Sequence, residues 1–188
     1  MTEKIISEYI IEHRKALDNF EKNSSDSLNR AAETVANAIK KGGRIYLCGN
    51  GGSAADCSHI ASELVGRFKK ERKAMPAMTF TADPAVFTSL GNDFNYSSIF
   101  LRQVEAYVRK GDVLWAISTS GSSENVLKAI LKAKQIGAEI ISLTGKPNSI
   151  IESHSSCCIC ANTEITSTAQ EIHVLAYHII CGIIEELI

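Results

Sequence analysis

From Arg44 onward the chain repeats one unit: a short, unbroken apolar run followed by a polar or helical stretch. The runs are RIYLCG at 44–49, MPAMTF at 75–80, DVLWAIS at 112–118, AEIISLTG at 138–145 and SSCCICA at 155–161. A strand with one wet face alternates apolar and polar residues, whereas a strand covered on both faces reads as a continuous apolar run. Strands of the second kind, separated by helix-length connections, indicate a parallel sheet with helices on both sides. The fold class is therefore α/β, a three-layer αβα sandwich around a five-stranded parallel sheet, with extra helices at both ends. In such sheets ligands sit beyond the carboxyl ends of the strands.

The connections carry helix signals of their own. DPAVFTSLG begins with Asp83 as a cap and Pro84 in the first turn, and SSENVLKAILKAKQIG is a helix closed by Gly137. Before Arg44 the chain reads as two helices. Ile5, Ile6, Tyr9, Ile10, Leu17 and Phe20 form an apolar stripe, NSSDS at 23–27 breaks it, and Gly42-Gly43 ends the second helix. We take residues 1–43 as N-terminal helices of the same domain and 44–188 as its α/β part. A first helix this apolar, lying outside the repeating unit, packs either against another subunit or onto the core of its own chain.

Composition excludes several classes. A net charge of −1 argues against general affinity for nucleic acid or anionic membranes. The one basic run, RFKKERK at 67–73, reads as a solvated loop or helix end. The C-terminal VLAYHIICGIIEELI is apolar but short, and His178, Glu185 and Glu186 interrupt it. That describes a buried or interface helix, not a membrane span of about 20 residues. MTEKIISEYI reads as a charged amphipathic helix instead of a secretion signal, so the expectation is a cytoplasmic protein with free, buried thiols at its six cysteines. CCIC lacks a C-x-x-C step and a second cluster, and fits a buried strand better than a metal site.

Two strand-to-helix junctions carry chemistry. In CGNGGSAAD, residues 48–56, glycines at 49, 51 and 52 permit a sharp turn and close approach of the backbone to a ligand, and Ser53 caps the next helix. Ala54 breaks the G-x-G-x-x-G fingerprint, and no Gly-Lys-Ser/Thr is present, so no nucleotide cofactor is expected. In ISTSGSSENV, residues 117–126, Ser118, Thr119, Ser120, Ser122 and Ser123 crowd a helix start. Free N–H groups and the positive end of the helix dipole attract anions there. Five hydroxyls exceed what capping needs and suit a phosphate monoester. A third pattern follows the Gly-rich turn: in CSHIASELVG, His59 and Glu63 lie four apart, on one helix face.

These motifs, with GNGGS, GRF, GNDF, GDVLWAISTSGSSENVLKAI, SLTGK and QEIHVLAYH, resemble the sugar isomerase (SIS) domain family. Within it they are most similar to the phosphoheptose isomerases. The resemblance runs from about Tyr46 to the C-terminus. It implies a ketose–aldose isomerase that converts sedoheptulose 7-phosphate to D-glycero-D-manno-heptose 7-phosphate through an enediol(ate), for bacterial heptose in lipopolysaccharide or capsule. By the same resemblance Asn50, Gly51, Gly52, Ser53, Asn92 and Asp93 would contact the sugar chain, and Ser118, Thr119, Ser120 and Ser123 would hold the phosphate. Glu63 would move the proton between C1 and C2, with His178 as its partner. Members of the family also bind zinc through the equivalents of His59, Glu63, Gln170 and His178, and form homotetramers with active sites between subunits. Glu63 and Gln170 would thus serve the substrate as well.

Spacing sets limits on this carry-over. Gln170 and His178 are eight residues apart, about 12 Å along a straight helix. Either Gln170 occupies a frayed helix start, or the two residues serve sites through different chains. A glutamine oxygen is a weak zinc ligand, so a labile site is expected. His173 reads as a core or interface histidine, and His13 and His154 have no catalytic role. Residues 165–169, ITSTA, carry no charge where close relatives have an acidic and a basic residue. Ser167 would then replace an acid with a weaker hydrogen bond, which bears on substrate handling. Two other readings remain in play: a non-enzymatic SIS protein of the kind that binds a replication initiator, and an isomerase of another sugar phosphate.

Overall fold

The computed structural model describes residues 2–188; Met1 lies outside them. Two long helices, α1 (Thr2–Asn23) and α2 (Ser25–Lys40), lead into β1 (Ile45–Gly49) and α3 (Gly52–Val65). Then come β2 (Ala77–Thr79), α4 (Pro84–Asp93), a 3-10 turn at Tyr96–Ser98 and α5 (Ile99–Tyr107). The chain continues through β3 (Val113–Ser118), α6 (Glu124–Ile136), β4 (Glu139–Thr144), the single turn α7 (Ile150–Ser153) and β5 (Cys157–Cys160), and closes on α8 (Thr166–Leu187).

All neighbouring strands pair in parallel, in the order β2-β1-β3-β4-β5. The five-stranded sandwich read from the apolar runs is thus the observed one. Every residue of β1 and β3 is buried. One face of the sheet, with Leu47, Trp115, Ile141 and Leu143, is covered by α1, α2, α3 and α8. The other, with Tyr46, Leu114, Ala116 and Ile140, is covered by α5, α6 and α7. The chain leaves β1 for β2 on one side and then for β3 on the other, so the topological switch lies between β1 and β3. In open α/β sheets ligands bind at such a point, beyond the carboxyl ends of the strands.

Some elements differ from the sequence reading. The second run contributes only three strand residues, because Pro76 has no N–H for a ladder and β2 is an edge strand. Helix α5 was not anticipated; it buries Ile99, Phe100, Gln103 and Val104, a narrow stripe that a short window does not distinguish from a loop. The thiols are all free, but Cys158 and Cys160 are only half-buried. Burial is nonetheless enough to push the Cys158 thiol up to about 11. Among the described residues no helix is long and apolar enough to cross a membrane.

The basic run is the clearest departure. Arg72 turns inward, and its guanidinium donates to the main-chain oxygens of Glu63, Leu64, Gly66 and Lys73 at 2.6–3.2 Å. Its Nε donates to Glu185 on α8 at 3.1 Å. The Glu185 carboxylate also accepts the backbone N–H groups of Phe68, Lys69 and Lys70 at 2.9–3.0 Å. Burial pushes the Glu185 carboxyl up, but these donors outweigh it and hold the group below its usual range. A satisfied buried carboxylate left without its guanidinium, or the reverse, is costly. Glu185→Ala should therefore lower the unfolding free energy by about 3–5 kcal/mol in urea titration, whereas alanine at the exposed Glu186 should leave it within about 0.5 kcal/mol.

His173 is fully buried, as a core histidine, with Nε2 3.1 Å from the carbonyl oxygen of Thr144. Burial lowers its pKa from 6.5 to about 4. The unfolded chain then binds a proton that the folded chain refuses, so the stability tied to neutral His173 is complete above pH 6.5 and is lost as pH falls toward 4. The expected loss is on the order of 2–3 kcal/mol. His173→Gln, which keeps a donor for Thr144 and cannot titrate, should flatten the dependence of the urea midpoint on pH across that window.

Candidate active site

Both junctions singled out in the sequence follow the carboxyl ends of the neighbouring strands β1 and β3. After β1 the backbone turns through Gly51 at φ +55°, a conformation that favours glycine. Gly52 then starts α3 hard against α8: a Cβ at this position would collide with the side-chain amide of Gln170. Ser53 is buried in the first turn, its N–H bonded to the carbonyl of Asn50 at 3.0 Å.

At the second junction, the Oγ of Ser118 lies 2.9 Å from that of Ser123 and 3.3 Å from that of Ser120. Ser122 adds a fourth hydroxyl, bonded to Ser120 at 3.3 Å. Ser123 sits at the N-cap of α6 but makes no capping bond. The N–H groups of Glu124 and Asn125 at the start of α6 are thus left for an anion, beside converging hydroxyls and the positive helix end, while the Val126 N–H is taken by Asn125 Oδ1. Thr119 is held by its main chain, its carbonyl accepting from the N–H of Gly145 at 3.0 Å.

Asn50 and Asn125 join the two junctions. Each amide nitrogen donates to the other residue's oxygen, at 2.9 and 2.8 Å. Asn50 Oδ1 also accepts from the Tyr96 hydroxyl at 2.9 Å, and Asn125 Oδ1 accepts from the Val126 N–H at 2.9 Å. Both functional groups of the Asn50 side chain are therefore engaged in this frame. Asn125 and Tyr96 did not stand out in the sequence, although an Asn in the first turn of a helix after a serine-rich loop is a capping signal. Asn92 and Asp93 lie exposed at the end of α4, where the Asn92 amide donates to Asp93 at 2.9 Å.

A second cluster lies farther along α3. Helix α8 packs beside it in the same direction: Gln170 stands at Gly52, Tyr177 at His59, and Glu185 at the segment beyond the end of α3. This parallel packing brings His178 to the face that carries His59 and Glu63. One ligand atom from each of the three lies within 4.8 Å of the others. His59 Nε2 is 3.1 Å from Glu63 Oε1, and the two imidazoles meet edge to face at 5.0 Å between centroids. His178 stacks on Phe68 at 5.4 Å and 13°. Burial, and then the neighbouring His59, lower the pKa of His178 against the opposing pull of Glu63. Two imidazoles and a carboxylate at this spacing suit a divalent cation of the zinc type, with one tetrahedral position left for another ligand.

Gln170 is not part of this trio within one chain. It lies two helical turns before His178, about 12 Å away along α8, against the Gly-rich turn. Ser167 is exposed in the first turn of α8. The sequence reading also passed over Tyr177 and Asp56. Tyr177 is buried with its hydroxyl 2.8 Å from His59 Nδ1, and Asp56 has a buried carboxyl oxygen with no partner.

Residues 8–145 match the SIS domain family. A phosphoheptose isomerase from a Nitratiruptor species is 42% identical over 181 residues, 96% of this chain and 97% of that protein. The chain belongs to the phosphoheptose isomerase family. Solved structures of phosphoheptose isomerases agree throughout their length. The one from Francisella tularensis superposes with a TM-score of 0.95 at 30% identity, covering 99% of both chains. The one from Neisseria gonorrhoeae gives 0.93 at 32% identity, covering 99% of this chain and 100% of that one. The N-terminal helices thus belong to the shared architecture of these sugar-phosphate isomerases.

In the family's frame, the Asn50–Asn125 pair ties the Gly-rich turn to the serine loop. Asn125→Leu should leave Asn50 half-satisfied, lowering stability by about 1–3 kcal/mol in denaturant titration. The same variant should raise KM for a phosphorylated substrate more than it lowers kcat.

Proposed function

We propose that the protein isomerises sedoheptulose 7-phosphate to D-glycero-D-manno-heptose 7-phosphate through an enediolate, the step that supplies bacterial heptose for lipopolysaccharide or capsule. The observation that carries this reading is the convergence of Glu63, His59 and His178 on parallel helices, in a chain of the phosphoheptose isomerase family. The phosphate sits on Ser118, Thr119, Ser120 and Ser123 and on the N–H groups of α6. Asn50, Gly51, Gly52 and Ser53 line the path of the sugar chain, with Asn92, Asp93 and Gln170 contributing from the rim.

The chemistry needs one base and one group that serves oxygen. The Glu63 carboxylate takes a proton from C1 of the ketose and returns it to C2 of the enediolate. Meanwhile the O1 hydroxyl proton must leave and O2 must gain one, and His178, neutral when unprotonated and donating when charged, handles that exchange. His59, Glu63 and His178, with Gln170 as a fourth ligand, would hold zinc, which would supply a Lewis acid for the developing oxyanion. The separation of Gln170 from the trio within one chain fits a site completed between subunits.

Two surfaces support a homotetramer with sites at its interfaces. Ile5, Ile6, Tyr9, Ile10 and Ile11 are all about half exposed along α1. A groove of about 520 Å³ between α1, α2 and α8 is lined by Leu17, Phe20, Leu28, Leu175, Ile179 and Ile183. The protein functions in the cytoplasm, where sugar phosphates are made. A purely binding SIS protein is disfavoured because nothing in binding alone requires Glu63 and His178 to meet.

Purified protein incubated with sedoheptulose 7-phosphate should form the aldose. Glu63→Gln should reduce kcat by about 10²–10⁴-fold with binding of the sugar phosphate retained, and His178→Ala should do the same. Full turnover by the double variant would sink the mechanism. A panel of pentose and amino sugar phosphates, run with and without a chelator, separates heptose specificity from a broader isomerase.

A further inference from the structure

Both ring nitrogens of His59 are engaged: Nε2 with Glu63 Oε1 at 3.1 Å, and Nδ1 with the Tyr177 hydroxyl at 2.8 Å. A neutral imidazole carries one proton, so one nitrogen donates and the other accepts. An ionised carboxylate only accepts, which places the proton on Nε2 and makes the Tyr177 hydroxyl the donor to Nδ1. In this state the Nε2 lone pair is closed to a cation.

To ligate through Nε2, His59 must move its proton to Nδ1, where it faces the Tyr177 oxygen. The phenol proton then needs another acceptor. Tyr177 is fully buried, so bulk water does not provide one. Asp56 lies one turn before His59 on α3, the same helix face by the three-residue spacing. Its Oδ2 is buried and unpartnered, an orphan that calls for an explanation.

We propose that Tyr177 and Asp56 are a positioning pair that lets His59 change tautomer: Tyr177 donates to Nδ1 when the trio is empty, and turns to Asp56 when Nε2 takes a cation. This inference rests on the cation reading of the trio. The imidazole carries one proton in both states, so the switch needs no net protonation. Histidine ligands elsewhere are commonly fixed by a donor–acceptor partner on the second nitrogen, and loss of such a partner costs about 10–100-fold in metal affinity. Here that partner is a phenol, which can both donate and accept, backed by a carboxyl.

The test uses nitrogen–proton correlation spectra of the imidazoles in the full-length protein, together with zinc affinity from competition with a chromophoric chelator. Metal-free wild-type protein should show His59 with its proton on Nε2, and zinc should shift it to Nδ1. Tyr177→Phe keeps the buried ring; Glu63 should still hold the metal-free proton on Nε2, but the Nδ1 resonance should move to that of a nitrogen without a hydrogen bond, and zinc should weaken about 10–100-fold. Asp56→Ala should leave the metal-free tautomer unchanged and weaken zinc by a similar factor. A Tyr177→Phe protein with wild-type spectra and zinc affinity within about two-fold of wild type would overturn the proposal. Unchanged affinity in Asp56→Ala would overturn the part assigned to Asp56. A wild-type protein that takes no zinc would overturn the cation reading and Asp56's part with it, leaving the metal-free spectra to decide the role of Tyr177.

Discussion

The site depends on α8 lying along α3 in the same direction, and that packing is pinned at its far end by one buried ion pair. Glu185 closes off three backbone N–H groups and the Arg72 guanidinium, while Arg72 in turn collects the last carbonyls of α3, including that of Glu63. A residue of the trio is therefore held at its main chain by the same guanidinium that fixes α8. At the near end, Gly52 allows Gln170 into contact with the backbone. Between the two ends, Tyr177 and His178 meet His59.

The sheet contributes a second constraint, independent of the first. Its switch point sets the Gly-rich turn opposite the serine loop, and the Asn50–Asn125 amide pair bridges them. The serine-rich turn and the His59–Glu63–His178 trio are thus built by different physics: backbone dipoles and hydroxyls at strand ends in one case, side chains on packed helices in the other. They meet along α3, which begins at the Gly-rich turn bridged to the first and carries His59 and Glu63 of the second.

Much of this was legible without coordinates because it is local. Continuous apolar runs imply covered strands, Gly-Asn-Gly-Gly-Ser implies a turn, and crowded serines at a helix start imply an anion site. The four-residue spacing of His59 and Glu63 is likewise local. What was missed is non-local. Arg72 looked like part of a solvated basic run, since nothing nearby in sequence shows that Glu185, more than a hundred residues on, needs a donor. Asn125 and Tyr177 resemble ordinary helix residues until their partners are known. Helix α5 escaped because its buried stripe is short.

The sequence alone determined the layer architecture and the local geometry at each junction, because periodicity, turn residues and helix-start signals act within a few residues. It also set the limit on Gln170, since helix rise separates that residue from His178 in any straight α8. Only the tertiary structure decided that α8 runs parallel to α3, that His178 joins His59 and Glu63, and that Tyr177 occupies the second nitrogen of His59. Those outcomes follow from burial of two apolar helix faces against one sheet, a long-range choice that no local spacing encodes.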